Sequence, residues 1–419
     1  MIENLCVFED NRYSHFYPLA LSRPVFDLRC GMMTLKEKIC RQVKPKIVRL
    51  LCRDYLQDLV AEQNEGMQVN QVIADSCLFV NGRVLADSKL NAVLSDQNEQ
   101  LYFHQDQLVA AFLIGENTHK MRKVCEKSFD LSLFQEIEKR EIEIKLINYI
   151  WELIHHNASE IESDFSAIQM DGNISGRICE GATLLNKKNI FIGENTQIKP
   201  GVVIDAENGP IYIGRNVKIM ANAVIEGPVF VGDNSSIKIG AKIYEGTSIG
   251  EVCKVGGEVE ESIIHSYSNK QHDGFLGHAY LGQWVNLGAD TNNSDLKNNY
   301  GNVKIYMNGE MIDSGSMFVG LFMGDHSKAG INTMFNTGTV VGVMSNIFGG
   351  SFQPKFIPSF AWGGPESLTE HHLEKSLVTA KRVMSRRKIE MSRNYERLFR
   401  NIFELTQIER KRTLNNSNE

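Results

Sequence analysis

Between Ile211 and Gly256 the chain reads IYIGRNVKIMANAVIEGPVFVGDNSSIKIGAKIYEGTSIGEVCKVG. Within it a branched apolar residue returns at every sixth position: Ile213, Ile219, Ile225, Val231, Ile237, Ile243, Ile249 and Val255. A helix repeats near 3.6 residues and a strand alternates with period two, so neither gives this spacing. Short strands joined by tight turns into a coil do. Gly follows the apolar position at Gly214, Gly232, Gly250 and Gly256, as such turns favour. The pattern predicts a hexapeptide-repeat parallel β-helix in which each face stacks one apolar side chain on its neighbour in the next coil. A β-sandwich of short strands is the competing fold, and sandwiches seldom hold one fixed period.

The period extends backwards through Ile192, Ile198 and Ile204, with an insertion around Glu207-Asn208-Gly209-Pro210 that should protrude as a turn. The β-helix should begin near Ile168 and stay regular to about Glu258. After an irregular stretch the period returns at Phe275, Leu281 and Leu287. A polar excursion from Asp290 to Ser316 follows, and then Met317, Met323, Ala329, Phe335, Val341 and Ile347. Two long loops therefore leave the coil, and loops on a stiff scaffold are where binding and chemistry concentrate.

Residues 1–156 alternate apolar strand-like runs (Asn4 to Phe8, Lys46 to Leu51, Ser76 to Val80, Leu108 to Ile114) with helix-like stretches such as Thr34 to Val43, which reads as α/β. Phe134 to His156 is mostly helical in spacing, and the polar segment 157–166 reads as a linker. Residues 167–366 form the β-helix part. Residues 367–419 become rich in Leu, Lys, Arg and Glu at helical spacing and predict a C-terminal helix with a polar tail. Its Arg386-Arg387-Lys388 run reads as a solvated face.

The whole chain of 419 residues carries a formal charge of -6, so no basic excess exists to neutralise nucleic-acid phosphates. Eight cysteines without a C-x-x-C pair fit a reduced, cytoplasmic setting. No apolar run is long enough for a membrane span, and the acidic N-terminus does not read as a signal peptide.

Chemistry concentrates between Gln271 and Tyr300. Asn is poor in strands and costly to bury unbonded, so Asn292, Asn293, Asn298 and Asn299 need backbone partners or a ligand. His272, then Phe275-Leu276-Gly277, then Val285-Asn286-Leu287-Gly288-Ala289, then Asn299-Tyr300-Gly301 resemble the acetyltransferase half of a known family. It is the bifunctional N-acetylglucosamine-1-phosphate uridyltransferase and glucosamine-1-phosphate N-acetyltransferase family. The string from Asn293 to Gly301 looks most like a divergent bacterial branch of it, and the resemblance covers nearly the whole chain.

That resemblance implies a left-handed β-helix, a homotrimer with active sites between neighbouring coils, and acetyl-CoA as co-substrate. It implies His272 as general base and Glu260 as the carboxylate that orients it. Asn286, Asn299, Tyr300, Lys254 and Lys270 become acceptor-binding candidates, and Ala289 and Gly320 become candidates for contact with acetyl-CoA. Imidazole suits the base, because an amine attacking a thioester must lose a proton near neutral pH. His278 is the rival base, although the family has no His there. Phe275 stands where the family has Tyr, and Asp290 where it has Gly.

In the first part, Pro18-Leu19-Ala20-Leu21-Ser22-Arg23-Pro24 followed by Gly31 resembles the second half of a sugar nucleotidyltransferase signature. Arg23, Arg29 and Gly31 are then nucleotide-binding candidates, with UTP as the implied nucleotide. The Gly-rich phosphate loop is replaced by Phe8-Glu9-Asp10-Asn11-Arg12, Val25 stands where a Lys would be, and Arg83 stands where relatives place a magnesium-binding Asp. Mg2+ is expected only if this part is active, with oxygens from Glu9, Asp10 or Asp87; the metal ligands are otherwise unassigned.

The resulting expectation is an α/β plus all-β protein: a degenerate nucleotidyltransferase-like α/β domain, a left-handed parallel β-helix and a C-terminal helix. Its function is acetyl transfer from acetyl-CoA to the amine of glucosamine 1-phosphate or a related amino-sugar phosphate. If the first part is active, it couples this to UDP-N-acetylglucosamine formation. Two alternatives stay open: a sugar-1-phosphate nucleotidyltransferase with an oligomerising β-helix, and a non-catalytic sugar-nucleotide-binding scaffold. No nucleic acid or membrane partner is expected.

Overall fold

A computed structural model describes residues 2–94, 98–126, 129–170 and 172–416. The first part is built on a mixed seven-stranded sheet, in the order Gln68–Val69, Ile47–Leu51, Asn4–Phe8, Ser76–Asn81, Gln107–Ile114, Gln100–His104, Lys139–Glu141. The first four strands of that order run parallel, so the carboxyl ends of Asn4–Phe8, Ile47–Leu51 and Ser76–Asn81 open on one crevice. The helix Leu35–Val43 starts in a capping box between Thr34 and Glu37.

From Arg177 the chain winds as a left-handed β-helix with three parallel faces. One inward column of the first face runs Ile192, Ile213, Val231, Ile249, Ile264, Leu281, Met323, Val341, Ile357, every member buried. Each such side chain contributes about 1.5–3 kcal/mol of burial. The corner from first to second face needs a residue in the left-handed backbone region. Asn195, Asn216 and Asn234 supply it early, and Val252, Tyr267, Trp284, His326, Met344 and Phe360 supply it later. Asn tolerates that conformation and larger side chains pay a steric penalty. Burial offsets it here: Tyr267 stacks on Trp284 at 4.3 Å, and His326 meets Tyr395 and Phe399 of the helix Arg393–Leu405.

Several expectations change. The stretch read as a linker is the helix Asn157–Ile168, and three of its polar residues, Asn157, Glu160 and Asp164, are buried. Glu160 and Asp164 pair with Lys38 at 2.8 and 2.6 Å, and Asn157 accepts from the Gly31 N–H. Its polarity reflects ion pairing rather than solvent. Phe134 to His156 is not one helix, because Lys139–Glu141 pairs with the sheet edge and only Glu152–His155 is α-helical. The irregular stretch after Glu258 is no loop: the inward positions come early at Val259 and Ile264, then at Lys270 and Leu276, and the lysine hides the period. Leu276 rather than Phe275 is the buried residue, and Met317 is exposed. One long excursion remains, between Asn292–Asn293 and Leu321–Met323, carrying the hairpin Lys304–Met307 with Glu310–Asp313. The C-terminal part is three helices, Leu373–Ser385, Arg393–Leu405 and Gln407–Asn416.

The α/β part is clamped against the coil by buried charges. Arg23 pairs with Asp325 at 2.5 Å, Ser22 donates to the same carboxylate at 2.7 Å, and Arg29 meets Glu251 at 2.9 Å. The Arg29 N–H donates to the Tyr280 hydroxyl, and the Ser248 hydroxyl donates to the Gly31 carbonyl. Breaking a buried pair leaves an uncompensated charge and costs about 3–5 kcal/mol. Asp325→Ala should therefore lower unfolding stability by roughly that amount in a urea titration. A change within error would show that the clamp adds nothing.

Candidate functional site

Two successive coils within residues 269–293 each break the apolar ladder once. Lys270 pairs in register with Val255 and is 2 % exposed, so an amine stands in an inward position. Its Nζ donates to the His272 carbonyl at 2.6 Å and so fixes, from inside, the turn that presents His272. Gly257 makes room for this: a Cβ there would stand 2.7 Å from Nζ, and its φ is +71°. Burial pushes the Lys270 amine down to about 8, against the opposing pull of Asp273 and Asp290.

Asn293 is the second break. Its amide exchanges two hydrogen bonds with Gly277, accepting from N at 3.0 Å and donating to O at 2.9 Å, while Asn292 accepts from Phe275 N at 2.8 Å. Side-chain amides thus replace the strand ladder on the third face, which accounts for both asparagines structurally.

His272 is exposed on the corner between second and third faces. It lines an open concavity of about 590 Å3 with Lys238, Asp273, Ala289 and Asp290. The neighbouring wall is cationic: burial, then the charges of Arg387, Lys238 and Arg386, pushes Lys254 down. Arg387 also donates to Asn269 Oδ1 at 2.9 Å, so this run ties the C-terminal helix to the coil instead of only facing solvent. Lys238 and Arg387 were missed in the sequence, although the basic run itself was the signal.

Glu260 stands at the far end of the third-face strands, where its carbonyl accepts from His278 N at 3.2 Å. It therefore belongs with His278 rather than His272. Burial raises the Glu260 carboxyl, and the His278 charge opposes that. His278 Nδ1 lies 2.9 Å from Asp295 Oδ2, and its ring stacks on Phe318 at 5.1 Å. This is a His–carboxylate pair with the geometry of an oriented base.

Asn286 lies on the outer row of the second face, accepting from Asn269 Nδ2 at 3.4 Å. Asn299 and Tyr300 are exposed in the excursion, with Asn299 Oδ1 accepting from Gly301 N. Gly320 is buried against the Phe275–Gly277 strand, and a Cβ there would meet the Gly277 carbonyl at 1.9 Å, which explains the glycine by packing.

In the first part, the crevice at the strand ends is a cavity of about 200 Å3 lined by Glu9, Asp10, Arg53 and Arg122 among others. Arg83 pairs with Asp10 at 2.5 Å, and Asn81 donates to the same carboxylate. Glu9 pairs with Arg53 at 3.1 Å and accepts from Val25 N, while Asp87 caps the turn at Lys89 N. The oxygens that a magnesium ion would need are thus engaged, two of the three by guanidinium groups, and this set does not fit the metal. Arg23 and Arg29 face the coil's carboxylates and Gly31 faces Asn157, so none of these three opens on the crevice.

Residues 5–172 match the family model described as sugar nucleotidyl transferase. The chain is 28 % identical over 200 residues to the bifunctional protein GlmU of Bartonella quintana, covering 45 % of this chain and 40 % of that protein. It is 30 % identical over 202 residues to GlmU of Synechococcus elongatus, covering 43 % and 41 %. It is 32 % identical over 160 residues to a bifunctional sugar-1-phosphate nucleotidylyltransferase/acetyltransferase of Sulfurisphaera tokodaii, covering 38 % of each. The chain thus spans about two fifths of the length of these relatives. A UDP-N-acetylglucosamine acyltransferase from Campylobacter jejuni aligns over 54 % of this chain and 94 % of its own, at a TM-score of 0.28 and 16 % identity, too slight a likeness to add to the fold.

The Lys270 amine titrates near 8 in the folded chain and at about 10.4 when unfolded. Between those values the unfolded chain binds the extra proton, so stability rises with pH across that window, and the cost of the buried charge is felt in full below it. Lys270→Met should gain in melting temperature over the wild type at neutral pH, with the gain fading as pH approaches about 10.4. A difference that stays constant across this range would show that Lys270 is not charged inside the coil.

Proposed function

We propose that the β-helix transfers acetyl from acetyl-CoA to the amine of glucosamine 1-phosphate or a related amino-sugar phosphate, with His272 as general base. The observation that carries this reading is the corner itself: an open imidazole, held by Lys270 from within, beside the cations Lys238, Lys254, Arg386 and Arg387. The amine attacks the thioester carbonyl and its proton passes to the imidazole as the C–N bond forms. The C–S bond then breaks, and the thiolate takes up a proton. The cationic wall holds the acceptor's phosphate.

A second reading of the base is favoured by one distance, the 2.9 Å between His278 and Asp295. Replacing the base by Ala should lower turnover by roughly 10²–10⁴ with the oligomer intact. Thiol release by His272→Ala and His278→Ala, measured side by side, separates the two. Loss confined to His278→Ala moves the chemistry to the His278–Asp295 pair, and loss in neither removes acid–base catalysis from this coil.

The first part is proposed to serve assembly and binding rather than metal-dependent nucleotidyl transfer, because Arg83–Asp10 and Arg53–Glu9 tie up the crevice. Pyrophosphate release from UTP and N-acetylglucosamine 1-phosphate should be absent or weak. Robust magnesium-dependent release would overturn this reading.

The oligomer is proposed to be a homotrimer. Exposed Ile331 and Phe348 follow adjacent second-face strands, and exposed Ile239 follows a strand four coils earlier on the same corner, apolar side chains that a second copy would cover. Cys6, Cys30, Cys40, Cys52, Cys77, Cys179 and Cys253 are free, which supports a cytoplasmic setting, and among the described residues no helix is long and apolar enough to cross a membrane.

A further inference from the structure

The outer row of the second face runs Lys254, Asn269, Asn286, Lys328, Asn346, Trp362. Past Asn286 it meets the helix Leu373–Ser385, and a cavity of about 170 Å3 lies between them. Ordinary ligand pockets start at roughly 300 Å3, so this one suits a small ion or a single group. No carboxylate lines it.

Its donors are unusual. Lys328 Nζ donates to the His326 carbonyl at 2.7 Å, and among the described residues no acid pairs with it. Burial alone pushes its amine down to about 8. His326 is 2 % exposed, and its Nδ1 has no partner among the described residues. Its Nε2 lies 3.1 Å from the Tyr395 hydroxyl. With that hydroxyl donating to Nε2, the ring proton sits on Nδ1 as a buried donor. His371 is the complement: Nδ1 lies 3.0 Å from the Met344 carbonyl and therefore carries the proton, so Nε2 is an acceptor.

Two N–H bonds of Lys328, the Nδ1–H of His326 and one imidazole lone pair make an anion cradle that also accepts a proton. We propose that this cavity binds a phosphate group bearing one P–OH, with Lys328 and His326 donating and His371 accepting. The group belongs either to inorganic phosphate or to a singly protonated monoester. Sulfate has the same shape and no proton to give, and it leaves the His371 lone pair unmet.

The site does not depend on the acetyl-transfer reading. Calorimetric titration of the full chain with inorganic phosphate, sulfate and glycerol 3-phosphate tests it. Saturable binding of inorganic phosphate is expected, about tenfold or more tighter than sulfate and weakened at least as much in Lys328→Met, the scale of a lost charged hydrogen bond. If that variant does not fold, Thr379→Phe fills the cavity from the helix side and makes the same comparison. Glycerol 3-phosphate binding that is lost in the variant supports a monoester occupant; its failure beside a positive phosphate titration supports the free ion. No saturable binding of inorganic phosphate, binding unchanged in the variants, or sulfate bound as tightly as phosphate overturns the proposal.

Discussion

A β-helix coil has one inward position per face, and anything placed there is surrounded by the coils above and below. Ile213, Val231 and Ile249 show the rule, stacked in register and fully buried. That constraint makes the exceptions informative. Lys270 occupies an inward position on the coil whose corners carry His272 and His278, Asn293 occupies one on the next coil, and each is tied to a backbone group of the first. A polar residue inside such a stack destabilises it unless it is bonded. Both exceptions hold the shape of the turns and strands that present the two histidines, so the departure from apolar stacking marks the coil built for chemistry.

The same logic of buried charge governs the α/β part. Four of its arginines are held by carboxylates: Arg23 and Arg29 by the coil, Arg53 and Arg83 by Glu9 and Asp10 of the loop after the first strand. Arg83 places a positive charge at the strand end, and Asp10 answers it. The crevice at the strand ends is open as a shape while its charges close on one another as an internal lock. Packing of the C-terminal helices on the coil also explains why bulky residues such as His326 and Phe360 adopt the left-handed corner conformation that Asn supplies elsewhere.

The repeat from Ile192 to Val255, the strands at Asn4, Ile47, Ser76 and Gln107, and the helix at Leu35 were legible because their periods are strong and local. The Asn157 helix was not, since its glutamate and aspartate are read as solvent-facing until Lys38 is known to lie opposite. The coil through Lys270 was hidden for a related reason: a lysine at an inward position is invisible to a search for apolar residues. At the site, His272 and Ala289 line one concavity, while Glu260, which the resemblance pairs with His272, lies at the other end of the third-face strands beside His278. Asp295 could not be paired with His278 from sequence, because the contact depends on the shortened coil that brings the excursion back over Gly277.

The central claim is that this coil transfers acetyl to an amino-sugar phosphate. Its most direct test is release of free thiol from acetyl-CoA by the intact wild-type chain, with and without saturating glucosamine 1-phosphate. The account predicts steady thiol release that requires the amino sugar and yields one N-acetylated product per thiol. A folded protein that releases no thiol above the blank with any amino-sugar phosphate would contradict it.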